Sequence, residues 1–494
     1  MTHLVDEAAL ARLDAAVCLR LGCLPLEGPS LAFVGPADRE AAEWITYLLQ
    51  DGEATVPVPS LPVHEHLGGA LDRHLALLRG RVAAAPVESL LALEENDLAG
   101  EGASPEDLRK KSQSEPVVKL VDHILDEALR LGATDIHVEP SEEGVAVRLR
   151  RDGMLREHLL LPTWVQMSLV SRIKILASLD ISEKRLPQDG RIALQHASGS
   201  IDVRASTLPT RQGEKVVLRL LRQDRTLPDL AQTGMPTGLR SRFEELCDHP
   251  QGMIVVTGPT GSGKTSTLFA ALHRLLPRAI NVTTIEDPVE YRLKNANQVQ
   301  VNEKAGLTFA GALRSILRQD PDVILVGEIR DSETASIALQ AAQTGHLVFT
   351  TLHTNDSAGA VTRLIDLGIP PFLAANALLG VLAQRLVRKL CPHCRKQGPP
   401  AASQQPFLAL HGVATDLVWE AVGCPKCEGT GYQGRTGIFE LLLLDDELRE
   451  AVAKGATEGD LRRLGSLTPL VLDGIEKALD GTTSLTEVLR VGLR

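Results

Sequence analysis

The residues with the clearest chemistry lie in one run, Gly258-Pro259-Thr260-Gly261-Ser262-Gly263-Lys264-Thr265. Its glycines let backbone N–H groups close around a phosphate. Lys264 has the reach for β- and γ-phosphates, and the Thr265 hydroxyl suits a Mg²⁺ ion. The run follows the apolar stretch 253–257 and precedes a stretch with helical spacing, which is the context a phosphate-binding loop requires. Hydrolysis also needs a carboxylate that orients water beside the γ-phosphate. Two apolar strands end in acids: one runs from Val323 to Glu328, the other from Val282 to Glu286 and Asp287, with Glu290 close behind. Carboxylates at strand ends also cap helices, so spacing alone leaves both roles open for each. His346 precedes the apolar strand 347–351 and His353 follows it, which puts one of them at the sheet edge that carries the phosphates. A structural role is the other reading of either histidine.

Cys391, Cys394, Cys424 and Cys427 form two C-x-x-C knuckles, a metal-site spacing. Four thiolates complete a tetrahedron and leave no open position, so zinc in a structural role is expected, with rubredoxin-like iron or free thiols as alternatives. Arg204 and Arg219 sit in strand-like segments among apolar neighbours. Each could reach a phosphate of a nucleotide bound elsewhere, or serve in an ordinary salt bridge. The same ambiguity holds for Arg314, Arg318 and Arg330 around the Glu328 strand.

These residues need a scaffold, and 494 residues suffice for roughly three domains. From about residue 234 to 390, short apolar strands alternate with helical stretches. The pattern predicts an α/β core with a mostly parallel sheet and helices on both faces. Before it, residues 116–222 combine an amphipathic helix at 117–131 with alternating strands at 145–150 and 201–205, an α+β domain with basic residues on a sheet face. Composition marks linkers at 96–115 and 223–233, a small N-terminal domain at 1–95, the cysteine subdomain at 391–434 and a helical C-terminal region at 435–494, helical from about Leu441. Only 3% of residues are aromatic, so Leu, Val, Ile and Ala must fill the cores. A net charge of −11 argues against bulk nucleic-acid binding. No run reaches the ~18–20 apolar residues of a membrane span. The stretch 378–390 is cut by Arg385, Arg388 and Lys389, and the N-terminus does not read as a secretory signal, so a cytoplasmic protein is expected.

Several longer blocks then resemble one family. Residues 283–290 (TTIEDPVE), 317–322 (LRQDPD), 326–331 (VGEIRD), 344–346 (TGH) and 351–355 (TLHTN) are similar to the secretion ATPase superfamily of type II secretion and type IV pilus assembly. So are residues 135–140 (DIHVEP) and 183–191 (EKRLPQDGR). The resemblance implies a RecA-like ATPase domain in which Glu328 is the catalytic Walker B glutamate. It makes Glu286, Asp287 and Glu290 an acidic box and His346 and His353 a histidine box. It also implies that Arg204 and Arg219 swing toward the nucleotide and that six chains form a ring. The tetracysteine segment points to assembly or secretion motors, and residues 379–388 (LGVLAQRLVR) resemble the type II secretion branch.

The expected function is therefore a Mg²⁺-dependent hexameric ATPase that energises export across the outer membrane. Its partners would be cytoplasmic domains of inner-membrane platform proteins, docked through residues 1–95, which places it peripherally at the inner-membrane face. Pilus extension is the neighbouring alternative, and a nucleotide-gated docking protein without a motor stroke is the alternative from another class.

Overall fold

The computed structural model describes residues 23–26, 30–33, 105–196, 199–222, 229–465 and 467–492. The chain divides into two compact units, residues 1–222 with 423–430, and residues 223–422 with 431–494. No helix among the described residues is long and apolar enough to cross a membrane.

In the first unit, β1 (Cys23–Leu26) and β2 (Ser30–Phe33) form an antiparallel pair. The remainder of the segment expected to dock on a platform lies outside the described residues. Within the expected linker 96–115, the described residues from 105 on instead carry α1 (Pro105–Ser112) and the first residue of α2 (Glu115–Arg130). Proline at the first helical position loses no needed hydrogen bond. Arg109 and Lys110 face solvent while Ser112 is fully buried, so a short helix packs through a narrow strip that composition hides. In α2 the buried residues Val117, Leu120, Val121, Ile124, Leu125 and Ala128 recur at three- and four-residue steps, and Gly132 turns the chain at φ 69°.

There follow β3 (Asp135–Pro140), β4 (Val145–Arg151), β5 (Met154–Leu161), α3 (Gln166–Leu176), β6 (Gln188–His196), β7 (Gly199–Thr210) and β8 (Gly213–Arg222). The six strands form an antiparallel sheet in the order β5-β4-β3-β8-β7-β6. Alternation puts Ile136, Val138, Val147, Val203, Val216 and Leu218 under α2 and α3 in one core. The intervening residues, among them His137, Glu139, Arg148, Arg204, Lys215 and Arg219, take the other face. It is the basic sheet face expected from the alternating strands.

The second unit begins with a 3₁₀ turn at Leu230–Thr233. Leu230 is buried in its core, so the end of the expected second linker is part of the fold. Next come α4 (Thr237–Cys247), β9 (Gly252–Thr257), α5 (Lys264–Leu275), β10 (Val282–Glu286), β11 (Asn297–Gln300), α6 (Phe309–Ile316), β12 (Val323–Val326), α7 (Ser332–Gln343) and β13 (Leu347–Leu352). The chain continues through α8 (Ser357–Asp366), α9 (Pro371–Ala377), β14 (Leu378–Leu390), β15 (Lys396–Gly398), α10 (Gln405–Leu410), β16 (Val418–Glu420) and β17 (Tyr432–Leu443). It ends in α11 (Asp446–Ala453), α12 (Glu458–Leu464), α13 (Leu470–Leu479) and α14 (Leu485–Gly492).

Seven strands make one sheet in the order β11-β10-β12-β13-β9-β14-β17, parallel except for β17. Helices cover both faces: in β9, Met253 and Val255 enter one core while Ile254 and Val256 enter the other. This is the expected α/β core. The C-terminal region differs from expectation at its start, because residues 435–443 belong to β17 and helices begin only at Asp446. The apolar content there is the same for either element. What selects the strand is the long antiparallel pairing from Gly380↔Leu443 to Leu390↔Tyr432.

Candidate functional site

In a parallel sheet, ligands gather at the carboxyl ends of the strands. There β9 ends at Thr257, and the run 258–263 turns into α5, whose first residue is Lys264. The turn depends on glycine at two points. Gly263 has φ 87°, and a Cβ on Gly258 would stand 2.3 Å from the carbonyl oxygen of Gln384. The Lys264 ammonium folds back onto its own loop, donating to the carbonyls of Gly258 (2.6 Å) and Pro259 (3.2 Å). Burial draws Lys264 down to about 8, opposed by the charge of Glu328. A lysine held this way by carbonyls can exchange them for phosphate oxygens, so the residues present fit a nucleoside triphosphate and its Mg²⁺. Thr265 follows Lys264 at the head of α5.

Glu328 lies just past β12, the second strand from β9. Its side chain is 17% exposed, with Oε2 3.3 Å from His353 Nε2 and Oε1 bound by Arg330. His353 Nδ1 in turn lies 3.5 Å from Lys264 Nζ. The imidazole therefore lies between the two groups, with Nδ1 toward the lysine and Nε2 toward the carboxylate. The loop lysine, the histidine and the glutamate thus form one continuous polar chain. The loop carrying His353 is tied to β9 as well, since Thr354 Oγ1 lies 2.7 Å from Thr257 Oγ1.

Glu286 ends β10, beside β12. Its carboxyl is buried, and burial raises it above the usual range, against hydrogen bonds from Thr284 Oγ1 (2.6 Å) and Gln298 Nε2 (3.1 Å). Asp287 and Glu290 are exposed on the following loop.

His346 is not brought to this site. It precedes β13, at the sheet edge opposite the phosphate-binding loop, with Nδ1 2.9 Å from the carbonyl oxygen of Ala341. Only the second histidine reaches the phosphate edge, because six strand residues separate the two and carry the chain across the sheet. Arg314 pairs with Glu333, and Arg318 donates to the Arg314 carbonyl (2.9 Å), so neither bonds Glu328. Arg204 and Arg219 lie in the first unit as cross-strand neighbours on β7 and β8. Arg219 Nε donates to Asp135 Oδ1 (3.0 Å), while its side chain stays 62% exposed.

The four cysteines come together, with all Sγ atoms within 4.8 Å of one another. Cys424 and Cys427 have Sγ atoms 3.7 Å apart. Zn–S bonds of about 2.3 Å at tetrahedral angles separate sulfurs by roughly 3.8 Å, so the donor set fits a thiolate-bound metal ion.

Sequence reasoning missed the residues that hold the site in place. Thr284 and Gln298 steady Glu286, and Gln384, in β14, accepts from Thr267 Oγ1. The signal for Gln384 was an amide directly after the aliphatic run 378–383.

The profile of a family described as Type II/IV secretion system protein matches residues 110–490. The chain is similar to the type II secretion system protein HxcR of Pseudomonas aeruginosa, 51% identical over 388 residues, covering 78% of this chain and 79% of that one. It is 49% identical over 396 residues to the type II secretion system ATPase E of Vibrio cholerae, covering 80% of this chain and 79% of that one. Among solved structures, the pilus retraction motor PilT with bound ADP matches with a TM-score of 0.53 at 27% identity, over 74% of this chain and 95% of that one.

Proposed function

The chain belongs to the Type II/IV secretion system protein family, and from that premise we propose how its residues perform ATP hydrolysis for type II secretion. It is an ATPase of that system, like the relative from Vibrio cholerae with which it is 49% identical over 396 residues. The observation that carries the residue assignments is the polar chain Lys264–His353–Glu328 at the mouth of the phosphate-binding loop.

ATP binds with its phosphates against the N–H groups of residues 258–265. Lys264 leaves the Gly258 and Pro259 carbonyls for β- and γ-phosphate oxygens. Thr265 would hold the Mg²⁺, whose charge neutralises the phosphates. Glu328 orients a water molecule and takes its proton as the water oxygen attacks the γ-phosphorus. The bond to the β–γ bridging oxygen breaks, releasing ADP and phosphate. His353 keeps the carboxylate aimed, and buried Glu286, with Asp287 and Glu290 beyond it, supplies the acidic wall of the site. Arg204 and Arg219 add positive charge to the phosphates during turnover, whereas His346 acts away from the reacting atoms of its own subunit. The four cysteines hold zinc in a closed structural site.

Six copies work as a ring, docked through residues 1–95 onto cytoplasmic domains of inner-membrane platform proteins. The site test is Glu328→Gln, which keeps shape and loses the base. Turnover should fall about 10²–10⁴-fold with nucleotide binding retained. Unchanged hydrolysis would remove Glu328 from this role. At the level of the machine, deleting the gene should abolish protein secretion and leave pili intact. The reverse outcome would move the same site to pilus assembly.

A further inference from the structure

β14 runs parallel to β9, and its last paired residue there is Ala383, opposite Thr257. Gln384 is therefore the next residue along, at the point where the phosphate-binding loop leaves the sheet. It is 2% exposed, beneath the loop rather than in it. Its Oε1 accepts a 2.7 Å hydrogen bond from Thr267 Oγ1, which is itself fully buried one turn into α5. The same residue abuts both ends of the loop. A Cβ on Gly258 would meet its carbonyl oxygen at 2.3 Å, and one on Gly263 would meet its Nε2 at 2.8 Å. The loop closes over Gln384 as over a peg.

A buried amide costs free energy unless it is bonded, and an aliphatic side chain of the same length would suit the surroundings. What the amide adds is direction: it holds the first turn of α5 at one height and one rotation. Lys264 and Thr265 ride on that turn, three and two residues from Thr267. The neighbouring Arg385, also buried, carries the other half of the site. Its Nη2 donates to Asn355 Oδ1 (3.2 Å), two residues beyond His353, and its Nη1 to the Val491 carbonyl (2.6 Å). Alternation along one strand thus ties down the lysine-bearing helix and the histidine-bearing loop separately.

We propose that Gln384 is a positioning residue for ATP hydrolysis, setting the place of Lys264 and Thr265 through its hydrogen bond to Thr267. The proposal rests on the reading of residues 258–265 as the ATP site. Many backbone N–H groups share the binding of ATP, so loss of the peg falls on the placement of the reacting groups rather than on affinity.

The test uses the full-length protein with Gln384→Leu, Thr267→Val, Thr267→Ser and the double variant Gln384→Leu/Thr267→Val, measuring kcat, KM for MgATP and the melting temperature. Gln384→Leu and Thr267→Val should each lower kcat about 10–100-fold with KM within about threefold. Thr267→Ser keeps the hydroxyl and should recover the turnover that Thr267→Val loses. The double variant should be no slower than the worse single one, because the two residues act through one bond. Lower melting temperatures with unchanged kcat would overturn the proposal, as would losses that multiply in the double variant. If Gln384→Leu does not fold, the near-isosteric Thr267→Val against Thr267→Ser decides the matter. Lys264→Ala serves as the separate control: if it leaves ADP affinity untouched, the ATP-site reading itself fails, whatever Gln384 does.

Discussion

At the scale of single residues, the phosphate-binding loop was legible because its chemistry is local: glycines, a lysine and a hydroxyl in unbroken order. Glu328 was legible as an acid at a strand end, though not as the partner of His353, because that contact joins the ends of two strands. For the same reason the two histidines read alike in sequence and come out at opposite edges of the sheet. Lys264 supports a pH prediction. Burial lowers its pKa to about 8, so without nucleotide it loses its charge as pH rises through that value. Phosphate oxygens favour the charged form, and binding must therefore take up a proton at higher pH. ATP affinity should weaken above about pH 8, and calorimetry at pH 8.5 in buffers of different ionisation enthalpy should show proton uptake that Lys264→Ala abolishes. Equal binding heats in those buffers would contradict the assignment.

At the scale of elements, the strands and helices of the α/β core were legible from short aliphatic runs alternating with helical spacing. Two segments were not. α1 is masked by the charged composition of its exposed face, and the start of the C-terminal region, expected to be helical from about Leu441, is strand to Leu443 because of its pairing with distant β14. The C-terminal elements hold on to β14 through a buried charge. Glu487 in α14, whose side chain is fully buried, pairs with Arg388 of β14 (2.6 Å) and with Arg490 (2.8 Å). Burial alone would raise its carboxyl, but the Arg490 and Arg388 guanidiniums bring it down to about 2. A carboxyl lowered on folding contributes stability that is complete above its unfolded value near 4.5 and is lost as pH falls toward about 2. The protection of the α14 amides against hydrogen exchange should fall over that window. Glu487→Gln should show the weakened protection already at neutral pH, having left two partly buried cations without their anion. An α14 equally protected at pH 7 and pH 3 would refute the linkage.

At the scale of the whole molecule, the cysteine knuckles announced a metal site from spacing alone, and the four sulfurs do converge. The N-terminal segment offered no such signal, since docking surfaces are built from residue types that any solvated domain carries. If zinc is the occupant, the purified protein should contain about one zinc per chain and be colourless. Rubredoxin-like iron would instead give a visible absorption band. Cys391→Ser with Cys394→Ser should remove the metal and raise protease sensitivity around residues 391–434. Full metal content in that variant would place the ion elsewhere. The ring carries its own prediction: if neighbouring subunits complete one another's sites, specific ATPase activity should rise with protein concentration together with the oligomer in sedimentation.

β14 extends for 13 residues, and from Gln384, at the floor of the nucleotide loop, it runs roughly 20 Å to Leu390, the residue before Cys391. It is paired with β9 on one side and β17 on the other, and inter-strand hydrogen bonds lie across the direction in which it points. A pull on the cysteine end therefore loads these bonds together in shear, instead of opening them one after another as peeling would. Such a strand behaves as a tie rod: it can carry tension between the nucleotide loop and the cysteine cluster with little stretch, so displacement at one end arrives at the other.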